Sequence, residues 1–399
     1  MGGLNTALID EFIALCGARL WRQRVAELRT RATQTTRLGR QVQQVHSIEL
    51  MIDRLRGNAG DRPRVAAETL ILGYVAEAVA LAGQMAADGR ARLQTALGTA
   101  LADENSLIPL MHLVRTAVLQ RSRGFEVSFA ALEEAAPFDL MIRRDGAEAE
   151  IACDVISAED GHGVHRGAWF RLVDRIDPEL QTWLRAHPGR YLLKLTFPLG
   201  LRLPAKDDDT LLPALHARIT QMLTDQKRSD SDPAAVLRLD PLMLAAAQAD
   251  ELGLMPRLRE EFGPEAHLSV TAAGGGVFVM AARAGRQNEV AAAVRRRMAA
   301  IAPARLTGSR PGILAMFVEE TDRLEWRLLR ERLELEGEAR QFLTHPDARP
   351  VVAVTCSSRL ELFGLGEPDA AADGELRFRN PAHPAAKRPE LAPAVLSSS

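Results

Sequence analysis

Two short segments, PFDLMI at residues 137–142 and EAEIACDV at residues 148–155, decide how this chain is expected to fold. Both place apolar residues at strand spacing, and the sequence RRDG at 143–146 between them is typical of a tight turn. The pair therefore predicts a β-hairpin.

The second strand of this hairpin has an acidic face. Alternation along the strand puts Glu148, Glu150, Ala152 and Asp154 on one side and four apolar residues on the other. Asp139 opens the first strand, and a tight hairpin brings it beside Glu150 or Asp154, although the sequence leaves the register open. Such carboxylates repel one another unless a cation lies between them, and they suit Mg²⁺ or Mn²⁺, which can activate water against a phosphodiester. The alternative is an ordinary acidic face exposed to solvent.

The elements on either side of the hairpin extend the pattern. A helix is expected over residues 106–122, with Gly124 as the glycine that ends it, and a short strand at 125–129. A helix at 169–184 and an apolar strand at 191–197 follow the hairpin. The order helix, three strands, helix, strand predicts a mixed α/β (α+β) module.

This order of elements, with Pro137 two residues before Asp139, resembles the core of the PD-(D/E)XK, or restriction-endonuclease-like, nuclease superfamily. The resemblance covers residues 104–197, about a quarter of the chain, by element order more than by motif. It implies Mg²⁺- or Mn²⁺-dependent hydrolysis of DNA, with Asp139 as the first acid of the site. In the most natural register, Ala152 and Asp154 stand where the family has glutamate and lysine, which is a departure from the family pattern.

Two arrangements could compensate for that departure. Glu150 and Asp154 flank Ala152 on one face and could hold a metal ion together with Asp139. Lys194, one of four lysines in the chain, lies in the last predicted strand and could act as a displaced family lysine, or could simply be exposed on an edge strand. The predicted catalytic set is therefore Asp139, Glu150, Asp154 and Lys194, with the three acids as metal ligands. The alternative function is a nuclease fold that has lost catalysis and binds nucleic acid or protein.

The loop after the hairpin supplies candidate phosphate ligands. Residues 157–167 include three glycines and lead into the next helix, so His165 and Arg166 are expected at a helix N-terminus, where they fit phosphate contacts. A polar surface loop is an equally simple interpretation. A third interpretation is a transition-metal site, with the candidate ligands Cys153, Asp160, His162 and His165.

Composition limits the class of protein. The chain has 399 residues, a formal net charge of −2, 47% hydrophobic and 26% charged residues, which is typical of a soluble globular protein and excludes a collagen-like or wholly disordered chain. All but four of its 50 basic residues are arginine, which suggests a GC-rich prokaryotic genome and supplies planar cations suited to carboxylates and phosphates. Three widely separated cysteines argue against a disulfide framework or a cysteine zinc site.

The near-zero net charge conceals local imbalances. Residues 141–160 carry a net −4 at the proposed metal site, whereas residues 1–60 carry +4 and residues 281–310 carry +6. The run Arg295-Arg296-Arg297 could contact a nucleic-acid backbone, or it could be a solvated helix face that pairs with the acidic segment 319–340.

The whole chain is expected to divide into segments of different character. They are a helical N-terminal region at 1–102, the nuclease-like module at 103–200, a connecting helical region at 201–265, a further α/β region at 266–380 and a flexible tail at 381–399. Heptad-like spacing in the N-terminal helices favours contact with a protein partner or with a second copy of the chain. The most apolar segment, 65–87, contains acidic residues and predicts a buried helix, so we expect a cytoplasmic protein without a membrane span or signal peptide.

Overall fold

The computed structural model describes residues 2–33, 35–57, 64–202, 210–242, 257–259, 261–263 and 265–397. The acidic run at 207–209 lies outside the described residues. The described chain is a mixed α/β protein, as the sequence predicts.

The chain folds as two compact units. Unit 1 comprises Met1–Arg31, Val42–Asp160 and Ala291–Ser399, and unit 2 comprises Ala32–Gln41 and Gly161–Val290. Most of unit 2 is therefore inserted into the sequence of unit 1. The predicted module 103–200 is divided between the units at residue 160, and so is the predicted region 266–380 at residue 290.

The elements are numbered here in chain order. The helices are α1 Gly2–Cys16, α2 Ala18–Arg31, α3 Arg37–Val45, α4 Ser47–Gly57, α5 Ala66–Gln84, α6 Ala87–Ala100, α7 Ile108–Ser122, α8 Ala130–Glu134, α9 Arg166–Ala186, α10 Leu211–Thr224, α11 Val290–Arg305, α12 Arg323–Glu331, α13 Glu334–Leu343, α14 Arg359–Leu362 and α15 Ala392–Val395. The strands are β1 Glu126–Ser128, β2 Leu140–Arg144, β3 Ala147–Ser157, β4 Arg190–Phe197, β5 Ser229–Ser231, β6 Val236–Pro241, β7 His267–Ala273, β8 Gly276–Ala284, β9 Gly312–Glu319, β10 Val351–Ser358 and β11 Leu376–Arg379.

The sheet of unit 1 has the strand order β1-β2-β3-β9-β10-β11. The predicted hairpin is its β2-β3 pair, and the turn residues Asp145 and Gly146 have φ values of 50° and 81°, as a two-residue hairpin turn requires. Strands β3, β9 and β10 are parallel, whereas β1, β2 and β11 are antiparallel to their neighbours. Helix α7 packs against β3 and ends before Gly124, whose φ is 85°.

The strand predicted at 191–197 is not part of that sheet. It is β4, which lies between β6 and β8 in the sheet of unit 2, where the strand order is β5-β6-β4-β8-β7. The strand that runs parallel to β3 is β9. All eight residues of β9 are buried, as expected for a central parallel strand, whereas β4 alternates between buried and more exposed positions.

The core of unit 2 lies between its sheet and two helices. Helix α9 contributes its apolar face, including Trp169, Leu172 and Ile176, which packs with Phe278 of β8 and with α10. The predicted connecting region 201–265 therefore supplies structural elements of this unit, namely α10, β5 and β6.

The N-terminal helices of unit 1 share one core. Of the residues expected to form a heptad seam, Ile48, Ile52 and Leu55 are buried within unit 1, whereas Val45 is only half-buried and Leu38 belongs to unit 2. Helix α5 is the candidate membrane span among the described residues by length and composition, but it packs against α1, α4 and α7, and its buried Glu68 pairs with Arg54 at 3.0 Å. These are the features of a helix in the core of a globular protein.

The predicted flexible tail is folded as far as residue 397. A short 3₁₀ helix at Pro384–Lys387 precedes α15, and Leu391, Ala394 and Val395 are buried against the end of the sheet. These apolar side chains explain why the segment packs despite its proline and alanine content.

Candidate functional site: the carboxylate face of the first sheet

The register of the hairpin fixes the positions of the predicted acids. Leu140 lies opposite Ile151, so Asp139, the residue before β2, lies level with Ala152. Glu150 and Asp154 are on the same face of β3 as Ala152, one side-chain repeat away in each direction. The hairpin therefore brings the three predicted acids to one side of the sheet, with alanine between the two on β3.

Asp139 is bonded by an arginine from α11. Arg305 Nη2 donates to both carboxylate oxygens of Asp139 at 2.8 and 2.7 Å, and the backbone N–H of Cys153 donates to Oδ2 at 2.7 Å. Arg305 Nε also donates to the carbonyl of Pro137 at 2.6 Å. Burial raises the pKa of Asp139, and the charge of Arg305 opposes that rise. Both oxygens of this carboxylate are thus already bonded to N–H donors.

Asp154 has an arginine partner from the same helix. Arg297 donates through Nε to Oδ2 at 2.5 Å and through Nη2 to Oδ1 at 2.8 Å, which is a bidentate pair. The hydrogen bond to Asp154 raises the pKa of Arg297. Because the Arg297 side chain is 47% exposed, solvent weakens this pair more than it weakens the pair at Asp139.

Glu150 is fully buried and is bonded by a hydroxyl rather than by a close arginine. Thr307 donates its backbone N–H to Oε2 at 2.9 Å and its hydroxyl to Oε1 at 2.5 Å. Arg310 Nη1 is 3.9 Å from Oε1, and the same arginine donates to the exposed Glu148 at 2.7 Å. Hydrogen bonds from Arg143 and Arg310 lower the pKa of Glu148.

This arrangement does not fit the predicted magnesium site. Asp139, Glu150 and Asp154 direct their oxygens at donors of the chain itself, which would have to move before a cation could be bound. Within the described residues, no group of three or more histidine, cysteine or acidic side chains is placed to hold a metal ion. These bonds fix α11 and the loop after it to the hairpin and occupy the carboxylate oxygens with donors of the chain itself.

Lys194 is not on the sheet that carries these acids. It lies on β4 in unit 2, opposite Arg238, and its amino group is 3.3 Å from Asp240. The side chain is 44% exposed, as the simpler interpretation predicts, although β4 is a central strand rather than an edge strand.

The predicted phosphate ligands occupy the expected helix terminus. His165 is the N-cap residue of α9 and Arg166 is its first residue.

Of the proposed transition-metal ligands, His162 is buried in unit 2, with its ring 6.4 Å from that of His267. Cys153 and Asp160 belong to unit 1, and burial raises the pKa of the Cys153 thiol well above its ordinary value.

The sequence shows the arginine cluster at 281–310 but does not show its connection to the hairpin. Arg295 pairs with Glu338 on α13 at 2.5 Å, in agreement with the acidic-helix interpretation, whereas Arg297, Arg305 and Arg310 contact the hairpin. The one signal of this pairing was the opposite sign of the two local charges, −4 at 141–160 and +6 at 281–310.

The hydrogen bond from Thr307, which is exposed, to the buried carboxylate of Glu150 can be tested by substitution. Thr307→Val keeps the shape of the side chain but removes the hydroxyl donor, so we expect a loss of about 1–3 kcal/mol in the free energy of unfolding. Urea denaturation followed by circular dichroism measures this loss. Thr95→Val is the matched control because that hydroxyl is exposed and bonds only the Ala91 carbonyl of its own helix. Equal stability of the two variants would show that the Glu150 bond contributes nothing.

Comparison with known proteins gives no information on function, so the evidence on function is the geometry of the carboxylate face. A comparison of the chain with protein-family models, with curated proteins and with solved structures yields no match. Membership of the PD-(D/E)XK superfamily accordingly stays a prediction.

Proposed function

We propose that this chain is a restriction-endonuclease-like protein of the cytoplasm that has lost phosphodiester hydrolysis and binds nucleic acid. The observation that carries the proposal is the pairing of Asp139 and Asp154 with Arg305 and Arg297, at the face where a nuclease of this kind would need a metal ion.

The order of elements in unit 1 supports the nuclease-like part of the proposal. Helix α7 is followed by β1, β2 and β3, with the five-residue helix α8 between β1 and β2, and after the insertion of unit 2 come α11 and β9. This is again helix, three strands, helix, strand, with the last strand parallel to the third. In this assignment α11 and β9 replace the segments 169–184 and 191–197 that the sequence suggested.

The chemistry of the acid face supports the loss of hydrolysis. Ala152 offers no ligand at the position of the family glutamate, and Asp154 puts a negative charge where the family has lysine. An arginine can neutralise that charge, but its guanidinium has no free coordination site and hardly deprotonates, so it cannot generate a hydroxide as a bound metal ion does. Arg297 and Arg305 therefore stabilise the carboxylates without making the site reactive.

The distribution of basic residues supports a phosphate-bearing partner. Residues 161–202, which include α9 and β4, carry seven basic and three acidic side chains. Arg171, Arg175 and Arg185 are exposed on α9, whereas Arg297 and Arg305 of α11 are engaged with carboxylates. We therefore propose that unit 2, rather than the cluster at 281–310, contacts nucleic acid.

A cleavage assay tests the loss of catalysis. Plasmid and single-stranded DNA are incubated with the protein and either Mg²⁺ or Mn²⁺, beside Asp139→Asn protein whose folding is checked by circular dichroism. We expect no cleavage above the buffer control for either protein. Metal-dependent cleavage that disappears in Asp139→Asn would contradict the proposal and would favour a Mg²⁺-dependent nuclease using Asp139, Glu150 and Asp154.

A salt series tests the binding itself. The affinity for a DNA duplex and for a single strand is expected to fall linearly on a logarithmic plot against salt concentration, because each phosphate contact releases bound cations. An affinity that does not depend on salt, or the absence of binding, would contradict nucleic-acid binding and would favour a protein partner.

A further inference from the structure

Unit 2 contains a surface cleft of about 310 Å³, and it is lined in part by two of the α9 arginines that the proposed function places in contact with nucleic acid. Its lining residues come from the segment before α3, from α3 itself, from α9 and from α10: Thr36, Leu38, Arg171, Asp174, Arg175 and Leu212. The cleft lies entirely within one unit. Its size suits a small polar group with a modest organic part rather than a folded partner.

Two arginines of the cleft lack acidic partners. Arg171 and Arg175 are one helical turn apart on α9, both are exposed, and no carboxylate among the described residues pairs with either one. Elsewhere in the unit, Arg37 and Arg218 are held by aspartates. Like charges at this spacing repel and destabilise a helix, so an anion bound between them would relieve an unfavourable contact.

The one carboxylate in the cleft is already bonded to another part of the chain. Asp174 Oδ1 accepts the backbone N–H of Arg37 at 3.0 Å, Oδ2 accepts that of Leu38 at 2.9 Å, and the Arg37 guanidinium lies 3.4 Å away. Thr36 accepts the N–H of Gly39 at 3.0 Å. The first N–H groups of α3 are thus satisfied within the protein, and the positive charge left in the cleft is that of Arg171 and Arg175.

We propose that this cleft binds a phosphate group between Arg171 and Arg175. Two guanidinium groups can each donate a pair of hydrogen bonds to phosphate oxygens, and the Thr36 hydroxyl can donate a further one. Leu38 and Leu212 supply apolar surface for the part of the ligand that carries the phosphate. The phosphate can belong to a small metabolite or to the end of a nucleic acid. In the second case this inference rests on the proposed function, because Arg171 and Arg175 are among the arginines proposed to contact nucleic acid.

Calorimetric titration of the full chain tests the site. The probes are inorganic pyrophosphate, a nucleoside monophosphate, and a short single-stranded DNA with and without a 5′-phosphate. We expect binding of pyrophosphate that weakens roughly ten-fold in Arg171→Gln or Arg175→Gln, and on the order of a hundred-fold in the double variant, because a charge-assisted bond is lost with each guanidinium. Arg228→Gln is the control, since Arg228 is exposed in the same unit, lies outside the cleft and is not among the arginines proposed to contact nucleic acid.

The outcomes separate the two sources of phosphate. Binding of the mononucleotide alone assigns the site to a small ligand, whereas DNA binding that requires the 5′-phosphate assigns it to a nucleic-acid end. Failure of every phosphate probe to bind, or binding that falls equally in Arg228→Gln and in the double variant, would overturn the proposal. Salt-dependent binding of DNA, combined with no binding of pyrophosphate or the mononucleotide and no contribution from the 5′-phosphate, would leave the proposed function standing and reject this site.

Discussion

Replacing Arg305 with alanine is expected to lower the free energy of unfolding by about 2–3 kcal/mol at pH 7. The substitution leaves the buried carboxylate of Asp139 with one remaining donor, the N–H of Cys153. Removing one partner of a fully buried pair costs about 3–5 kcal/mol. The smaller value is expected here because the Arg305 side chain is 32% exposed, so water can partly replace its guanidinium. Urea denaturation of both proteins measures the difference.

The cost of Arg305→Ala should depend on pH in a defined direction. Burial already raises the pKa of Asp139 above its value in the unfolded chain, and the loss of Arg305 raises it further. The folded state therefore binds the proton more tightly than the unfolded state does. The stability that the folded state gains from binding this proton is fully present below the pKa of Asp139 in the unfolded chain. It is lost as the pH rises through the pKa of Asp139 in the folded state. The difference between variant and original protein should consequently shrink when the pH is lowered from 7 toward the acid range.

Two further variants separate charge from packing. Asp139→Asn combined with Arg305→Ala removes both charges, so it should be more stable at pH 7 than Arg305→Ala alone. Arg297→Ala is the exposed counterpart and should cost within about 1 kcal/mol. If Arg305→Ala were as mild as Arg297→Ala, or if its cost did not change with pH, Asp139 would not depend on its arginine.

Local patterns in the sequence were sufficient to predict most elements. The helix expected at 106–122 is α7, the strand expected at 125–129 is β1, and the expected hairpin is the β2-β3 pair. Alternation, turn residues and apolar runs are properties of neighbouring residues, so they do not require knowledge of the tertiary fold.

Strand pairing could not be predicted in the same way. The strand β4 follows β3 in sequence, but β3 pairs with β9 across an insertion that ends at Val290. A parallel strand needs a long crossover, and no local signal shows which later strand completes the sheet. For the same reason the ion pair between Asp139 and Arg305 could not be predicted, because the two residues are 166 positions apart in the sequence. The only indication of this pair was the opposite net charge of residues 141–160, which closely follow Asp139, and residues 281–310, which include Arg305.

Arg359 is the other arginine whose loss is expected to have a large effect, and its role is structural. The guanidinium pairs with Glu319 at the end of β9, and it donates to the carbonyls of Gln44 and Val45 and to the hydroxyl of Ser47. The side chains of Arg359 and Glu319 are each only 11% exposed. Because α3 ends at Val45, these carbonyls have no partner within the helix, and Arg359 supplies one from the sheet.

Arg359→Met should therefore lower the free energy of unfolding by about 3–5 kcal/mol, since it leaves Glu319 charged and buried and frees two helix-end carbonyls. Burial raises the pKa of Glu319, so part of this loss should be recovered as the pH falls through that raised pKa and the carboxyl becomes neutral. Chemical denaturation at pH 7 and at lower pH measures both effects, with Arg340→Met on the exposed face of α13 as the control.

The double variant Glu319→Leu/Arg359→Met removes the buried charge but not the need of the Gln44 and Val45 carbonyls for a donor. Full recovery in the double variant would assign the effect to the ion pair alone, whereas partial recovery is expected if Arg359 also holds the end of α3.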